Sequence, residues 1–247
     1  MHFVNECLFQ IIIVLTNIVQ IAAGFGGSII AIPFSVKLID FASVKMVLNT
    51  YSEFGCVILM LQTFKDVNWK EFFKMTIGMI FGIIIGWQIV SVVNLEFLMP
   101  LYALFVIAIG IYKLAFHHEI KLDTKWLFII VLFAGMIHGI FLSGGCMLVV
   151  YATMVVKDKT EFRATMNAVW VVIGFLWIVY DYMNGNITTI NIMRSLCGIA
   201  TLAISIPVGN LLFKKLDQKR FLNVLYILVI IAGINLLILD YFVGNYE

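Results

Sequence analysis

The chain has 247 residues, of which 63% are hydrophobic and 12% charged, against about 45–50% and 25% in an ordinary soluble domain. That composition belongs to an integral membrane protein and excludes a cytoplasmic enzyme, a secreted disulfide scaffold and a nucleic-acid binder. A net charge of +2 points to no particular partner.

The first residues, MHFVNE, carry no Lys or Arg and no small-residue cleavage site ahead of the apolar run, so the start is expected to stay with the first segment rather than be removed. Measured against the roughly 20 residues that cross a bilayer, charge-poor stretches fall at 7–36, 44–64, 75–94, 97–112, 126–156, 164–180, 195–213 and 221–239. Six have ordinary length. The other two, 7–36 and 126–156, contain no Asp, Glu, Lys or Arg, and as straight helices of about 30 residues they would measure about 45 Å, where the hydrocarbon core is about 30 Å. Each is therefore expected to break, at GFGGS (24–28) and SGGC (143–146), because glycine pairs weaken a helix and permit positive φ.

The breaks anchor an internal repeat. An offset of 118 sets Gly26-Gly27 over Gly144-Gly145 and matches Gln20 with His138, Asp40 with Asp158, Lys45 with Arg163 and Asn49 with Asn167. After five inserted residues, an offset of 123 matches Gly86 with Gly209 and Gly110 with Gly233. The expected organisation is one transmembrane domain of two homologous halves, 1–120 and 121–247, each a broken segment followed by three plain spans.

Charge then orients the halves. Eight single crossings would split Lys and Arg nearly evenly, nine to seven. If each long segment dips in and returns to its own side, the loops near 65–74, 113–125, 157–163 and 214–220 gather 13 of the 16 cations, as cytoplasmic loops do. This predicts an all-α polytopic protein of two inverted repeats with re-entrant-like breaks and both termini outside. Trp69, Trp87, Trp126 and Tyr182, near segment ends, are expected at the membrane interfaces.

The pattern Gly24-x-Gly26-Gly27-Ser28-x-x-x-x-Pro33, repeated as Gly139-x-x-x-Ser143-Gly144-Gly145-Cys146, resembles the TauE/SafE family of sulfite and organosulfonate exporters over essentially the whole chain. The resemblance implies a plasma (inner) membrane permease for small sulfur-containing anions. Ser28 and Cys146 stand where that family tends to have a third glycine, and Tyr151 stands where the second motif would have its proline.

The residues give a physical basis for an anion. A half-helix starting after Gly27 or Gly145 presents backbone N–H groups without intrahelical partners and the positive end of its dipole. Two such ends converging would hold a sulfite-sized oxyanion, with the Ser28 and Ser143 hydroxyls as further donors. The alternative reading of the glycines is close helix packing. Lys45, Asn49 and Glu53 share one helix face, and Arg163 and Asn167 repeat the first two. The cations either raise the potential at the pocket mouths or anchor helix ends by snorkelling, and the asparagines are placed along the pocket walls. Glu53 has no counterpart, Val171 taking its place; it marks a proton or substrate pathway or pairs with Lys45. His138, with Gln20 its match, is a second candidate for coupling to protons.

No metal or cofactor is expected. His117-His118-Glu119 reads as a charged loop without a partner cluster, and Cys7, Cys56, Cys146 and Cys197 stand singly as packing residues. Ser143, Cys146 and His138 share one segment, but no carboxylate on it completes a catalytic set, so catalysis is not expected. No G-x-x-x-x-G-K-[ST] motif supplies ATP coupling. The expected function is secondary transport of a small sulfur anion across a lipid bilayer, the alternative being the same architecture moving another small anion such as a carboxylate.

Overall fold

The computed structural model describes residues 2–90, 95–115, 123–142 and 144–243. These form helices α1 (His2–Ala23), α2 (Gly27–Ser35), α3 (Phe41–Gln62), α4 (Trp69–Val90), α5 (Leu95–Ala115), α6 (Thr124–Phe141), α7 (Gly145–Val155), α8 (Lys159–Met183), α9 (Thr189–Lys215) and α10 (Gln218–Val243), with a short 3-10 turn at Phe64–Asp66. Among the described residues there is no strand. Helices α1, α3, α4, α8, α9 and α10 are long and apolar enough to cross a membrane; α5, α6 and α7 hold shorter apolar stretches. Both over-long segments break at their glycines, into α1–α2 and α6–α7.

Side-chain caps set several helix starts. Asp40 begins α3, its carboxylate accepting the Ser43 N–H at 2.8 Å. Desolvation raises the Asp40 carboxyl, yet the Ser43 hydrogen bonds and the Arg194 charge outweigh it and hold the group below the ordinary aspartate value. Asp158 begins α8 in the same way, accepting from Glu161 N–H at 2.9 Å, and Thr188 caps α9.

The chain forms two compact units. The first comprises Met1–Val67 and Arg163–Leu216. In it α1 and α9 run parallel: Gln10 donates to Arg194 O, Ser205 donates to Val14 O, and Gly209 lies on Ile18 and Ile21. Helix α3 follows α9 through Ser43–Asn191 and Tyr51–Gly198. Helix α8 runs antiparallel to α3, with Asn49 Nδ2 donating to Gly174 O at 3.0 Å and Lys45 Nζ 5.9 Å from the Trp177 ring. Asn5 Nδ2 donates to Leu38 O at 3.4 Å, so α2 and the turn after it bring the chain back to the end where α1 began.

The second unit comprises Asn68–Phe162 and Asp217–Glu247. Helices α4 and α6 lie parallel in backbone contact: a Cβ on Gly82 would stand 2.7 Å from Gly135 Cα and Met136 N, and one on Gly86 would strike Met136 O. Only glycine allows helices this close. Helices α5 and α10 are antiparallel. The Tyr151 hydroxyl donates to Glu71 at 2.6 Å, which carries α7 back to the first turn of α4, the end at which α6 starts. Each unit thus takes helices from both sequence halves.

Residues at the 118- and 123-residue offsets make corresponding contacts. Gly24 N–H donates to Gln20 O at 2.7 Å and Leu142 N–H to His138 O at 2.9 Å; Ile30 N–H donates to Gly26 O and Leu148 N–H to Gly144 O, both at 3.1 Å. Gly209 rests on the carbonyl of Ile18, and Gly86 on that of Met136, again 118 residues on. A Cβ on Gly110 would stand 2.5 Å from Ile230 Cγ1 and 3.2 Å from Tyr226 O; one on Gly233 would stand 2.6 Å from Ile107 Cγ1 and 3.0 Å from Ala103 O. Because these two sites are geometric copies, Gly110→Ala and Gly233→Ala should lower stability by similar amounts, about 1–3 kcal/mol each by overpacking. Thermal unfolding of the detergent-purified variants checks this, and a loss at one position alone would contradict the matched packing.

Candidate functional site at the first helix break

The site begins with three glycines. Gly24 (φ 81°) and Gly26 (φ 94°) occupy the left-handed region, which costs a side-chain-bearing residue about 1–2 kcal/mol. Gly27 starts α2 pressed against α1: a Cβ there would stand 2.9 Å from Gln20 Cβ and 3.0 Å from Thr16 O. Gln20 is held in turn by Nε2 donation to Ser52 and, at 3.8 Å, to Cys56 Sγ. No side chain caps α2, so its first N–H groups, at Gly27 and Ser28, keep their hydrogen-bonding capacity.

The carbonyl side of the break is closed by α8. Arg163 Nη1 donates to Ile21 O at 3.3 Å and to Asn210 Oδ1 at 2.9 Å. Its guanidinium carbon lies 3.8 Å from the centroid of Phe213. Trp170 Nε1 donates to Gly24 O at 3.0 Å. Arg163 is 6% exposed, its buried Nε has no acceptor, and no carboxylate among the described residues forms an ion pair with it. The negative end of α1 is thus satisfied by a cation and an indole, while the start of α2 has no side-chain cap.

At the second break, Leu142 takes the left-handed conformation (φ 55°) that Gly24 takes in the first. Gly144 precedes α7, again without a side-chain cap, and lies on Ala134 O and His138, its Cβ position 2.7 Å from His138 Cβ. The close-contact glycine is therefore one register position earlier than Gly27. Gly145 and Cys146 are buried at the start of α7. Ser143, His117, His118 and Glu119 lie outside the described residues.

The other expected site residues separate into groups. Asn167 is buried and donates to Arg163 O on its own helix at 2.9 Å, and Asn49 ties α3 to α8. Lys45 lies toward the opposite end of α8, 4.8 Å from the Phe41 ring and 5.9 Å from the Trp177 ring, and interacts with the charge of Asp181 rather than with Glu53. Glu53 is 9% exposed and packs directly on Gly174. Trp170, Asn210 and Phe213 escaped the sequence reading. The available signal was the stripe Arg163, Asn167, Trp170, spaced i, i+4, i+7 on α8. Among the described residues no group of three His, Cys, Asp or Glu side chains is placed to hold a metal.

Helices of this length and apolarity, interrupted twice by uncapped glycine breaks, define a multi-pass helical membrane protein. The family model for the sulfite exporter TauE/SafE matches residues 9–236, and the chain belongs to this family of membrane transport proteins. Comparison with curated proteins and with solved structures gives no match.

Trp170→Phe keeps an aromatic side chain, though a smaller one, and removes the donor to Gly24 O. A buried carbonyl left without its partner costs about 1–3 kcal/mol, so thermal unfolding in detergent should show a loss of that size. Unchanged stability would mean that the indole hydrogen bond does not hold the break.

Proposed function

We propose that this protein is a secondary permease of the plasma (inner) membrane that moves a small sulfur-containing anion, such as sulfite or an organosulfonate, bound at the open N-terminus of α2. The observation that carries the reading is Arg163, a buried guanidinium without a carboxylate partner that bonds Ile21 O at the break where α2 starts uncapped. Burial of an unpaired charge is costly, and a substrate anion supplies the counter-charge. Guanidinium and backbone N–H groups together match the oxygens of a sulfur oxyanion. Family membership agrees with this substrate class. The N-terminus of α7, with Gly144, Gly145 and Cys146, is read as the second anion-binding element. The alternative is a permease of the same architecture for a carboxylate, which offers the same guanidinium two oxygens instead of three.

The inverted-repeat reading is supported by the matched hydrogen bonds and glycine contacts at offsets of 118 and 123, by the return of α2 to the start of α1, and by the gathering of cations on one set of loops. In this arrangement both termini face outward. Single cysteines replacing Asn68 and Asn186 should then be labelled by an impermeant reagent from opposite sides, Asn68 from the cytoplasm. Labelling of both from one side would remove the inverted topology.

Transport itself is tested with the purified full chain in proteoliposomes, using labelled sulfite, methanesulfonate and acetate. Sulfite or methanesulfonate should exchange faster than acetate. Arg163→Gln should raise the half-saturating concentration by about tenfold or more, equivalent to about 1.4 kcal/mol of lost anion binding. Lys45→Gln should have a smaller effect, reduced further by salt. Preference for acetate would favour the carboxylate alternative, and an unchanged half-saturation in Arg163→Gln would remove Arg163 from the site.

A further inference from the structure

Glu53 is unlike every other carboxylate in the described chain. It is the thirteenth of the twenty-two residues of α3, is 9% exposed, and forms no hydrogen bond or ion pair. The other buried carboxylates are engaged: Glu71 by Tyr151 and Lys74, Asp181 by Asn186. Opposite Glu53, near the middle of α8, stands Gly174, whose missing side chain is the space the carboxylate fills; a Cβ there would collide with Oε2. Asn49 fixes that stretch of α8 by its bond to Gly174 O.

The neighbours supply no fixed counter-charge. On α3, Lys45 lies two turns back and interacts with Asp181, and Cys56, one turn on, is a buried thiol. On α8, Arg163 is eleven residues from Gly174, about 16 Å along the helix, and is held at the break. On α9, Arg194 is paired with Glu6 of α1, and Gln20 of α1, which also reaches Cys56, is bonded to Ser52. The 118-residue offset places Val171 at the position matching Glu53, and among the described side chains Glu53 is the one buried carboxylate without a partner.

We infer that Glu53 is the proton-carrying side chain that couples anion movement to a proton gradient, one proton per cycle, a role that rests on the anion-transport reading above. In the middle of a spanning helix an ionised carboxylate without a partner is expensive, and such groups mark proton paths. Glu53 takes up H⁺ from water on one side as the neutral acid and gives it up as the carboxylate on the other; no other bond is made or broken.

The test uses the full chain in proteoliposomes with labelled methanesulfonate, which stays ionised throughout, so any proton moved belongs to the protein. In wild type a pH gradient should accumulate the anion under one polarity and deplete it under the other. Glu53→Gln should lose gradient-driven accumulation by about tenfold or more while equilibrium exchange of anion for anion stays within about twofold, and Glu53→Asp should restore the pH response. Gradient-driven accumulation that persists in Glu53→Gln overturns the coupling role and leaves the anion site standing. Loss of exchange together with accumulation assigns Glu53 to binding or folding instead, and likewise overturns it. If wild type exchanges neither methanesulfonate nor sulfite, the anion-transport reading falls, and this inference falls with it.

Discussion

Every backbone polar group placed within a bilayer must be satisfied by the protein or by what the protein binds. A helix that ends and restarts there creates orphan carbonyls on one side and orphan amides on the other, and the first break of this chain treats the two sides differently. The carbonyls at the end of α1 are met by Gly24 N–H, Arg163 and Trp170. The amides at the start of α2 meet no side-chain cap. A break needed only for packing would close both sides. The uncapped amides and the buried guanidinium at this one break are what the proposed anion site rests on.

That site depends on helices approaching to backbone contact. Gly27 on α1, Gly209 against Ile18, and Gly174 under Glu53 all make room for something a Cβ would displace. The glycines do three different jobs: Gly24 and Gly26 adopt a conformation, Gly209 admits a helix, and Gly174 admits a carboxylate. Leu142 shows that the conformational job does not require glycine absolutely. The left-handed strain there, about 1–2 kcal/mol, is offset where the side chain is buried, 6% exposed.

The helical class and the two breaks were legible because charge-free runs exceed a bilayer's thickness and glycine pairs interrupt them. The pairing of Asp40 with Asp158 was legible for a local reason as well, since both residues cap a helix. What local pattern left open was decided by tertiary contact. Snorkelling anchors and buried cations look alike in sequence, and only the approach of α9, with Asn210 and Phe213, separates Arg163 from Lys45. The i, i+8 spacing of Lys45 and Glu53 suggested a pair, but Asp181, far along the chain, interacts with Lys45 instead. The make-up of the two units was likewise out of reach, because it depends on which parallel helices find matching glycine surfaces.

The way the units divide the chain has a consequence for biosynthesis. Between Val67, where the first stretch of the first unit ends, and Arg163, where the second begins, lie the 95 residues 68–162. At about 5–20 residues per second, translation of that interval takes roughly 5–20 s. Throughout it α1, α2 and α3 are made but lack α8 and α9, so Ile21 O and Gly24 O have neither guanidinium nor indole. The first hairpin therefore passes through an interval in which its break is held by water, lipid headgroups or the insertion machinery. Arg163 is thus a residue whose arrival closes the nascent structure.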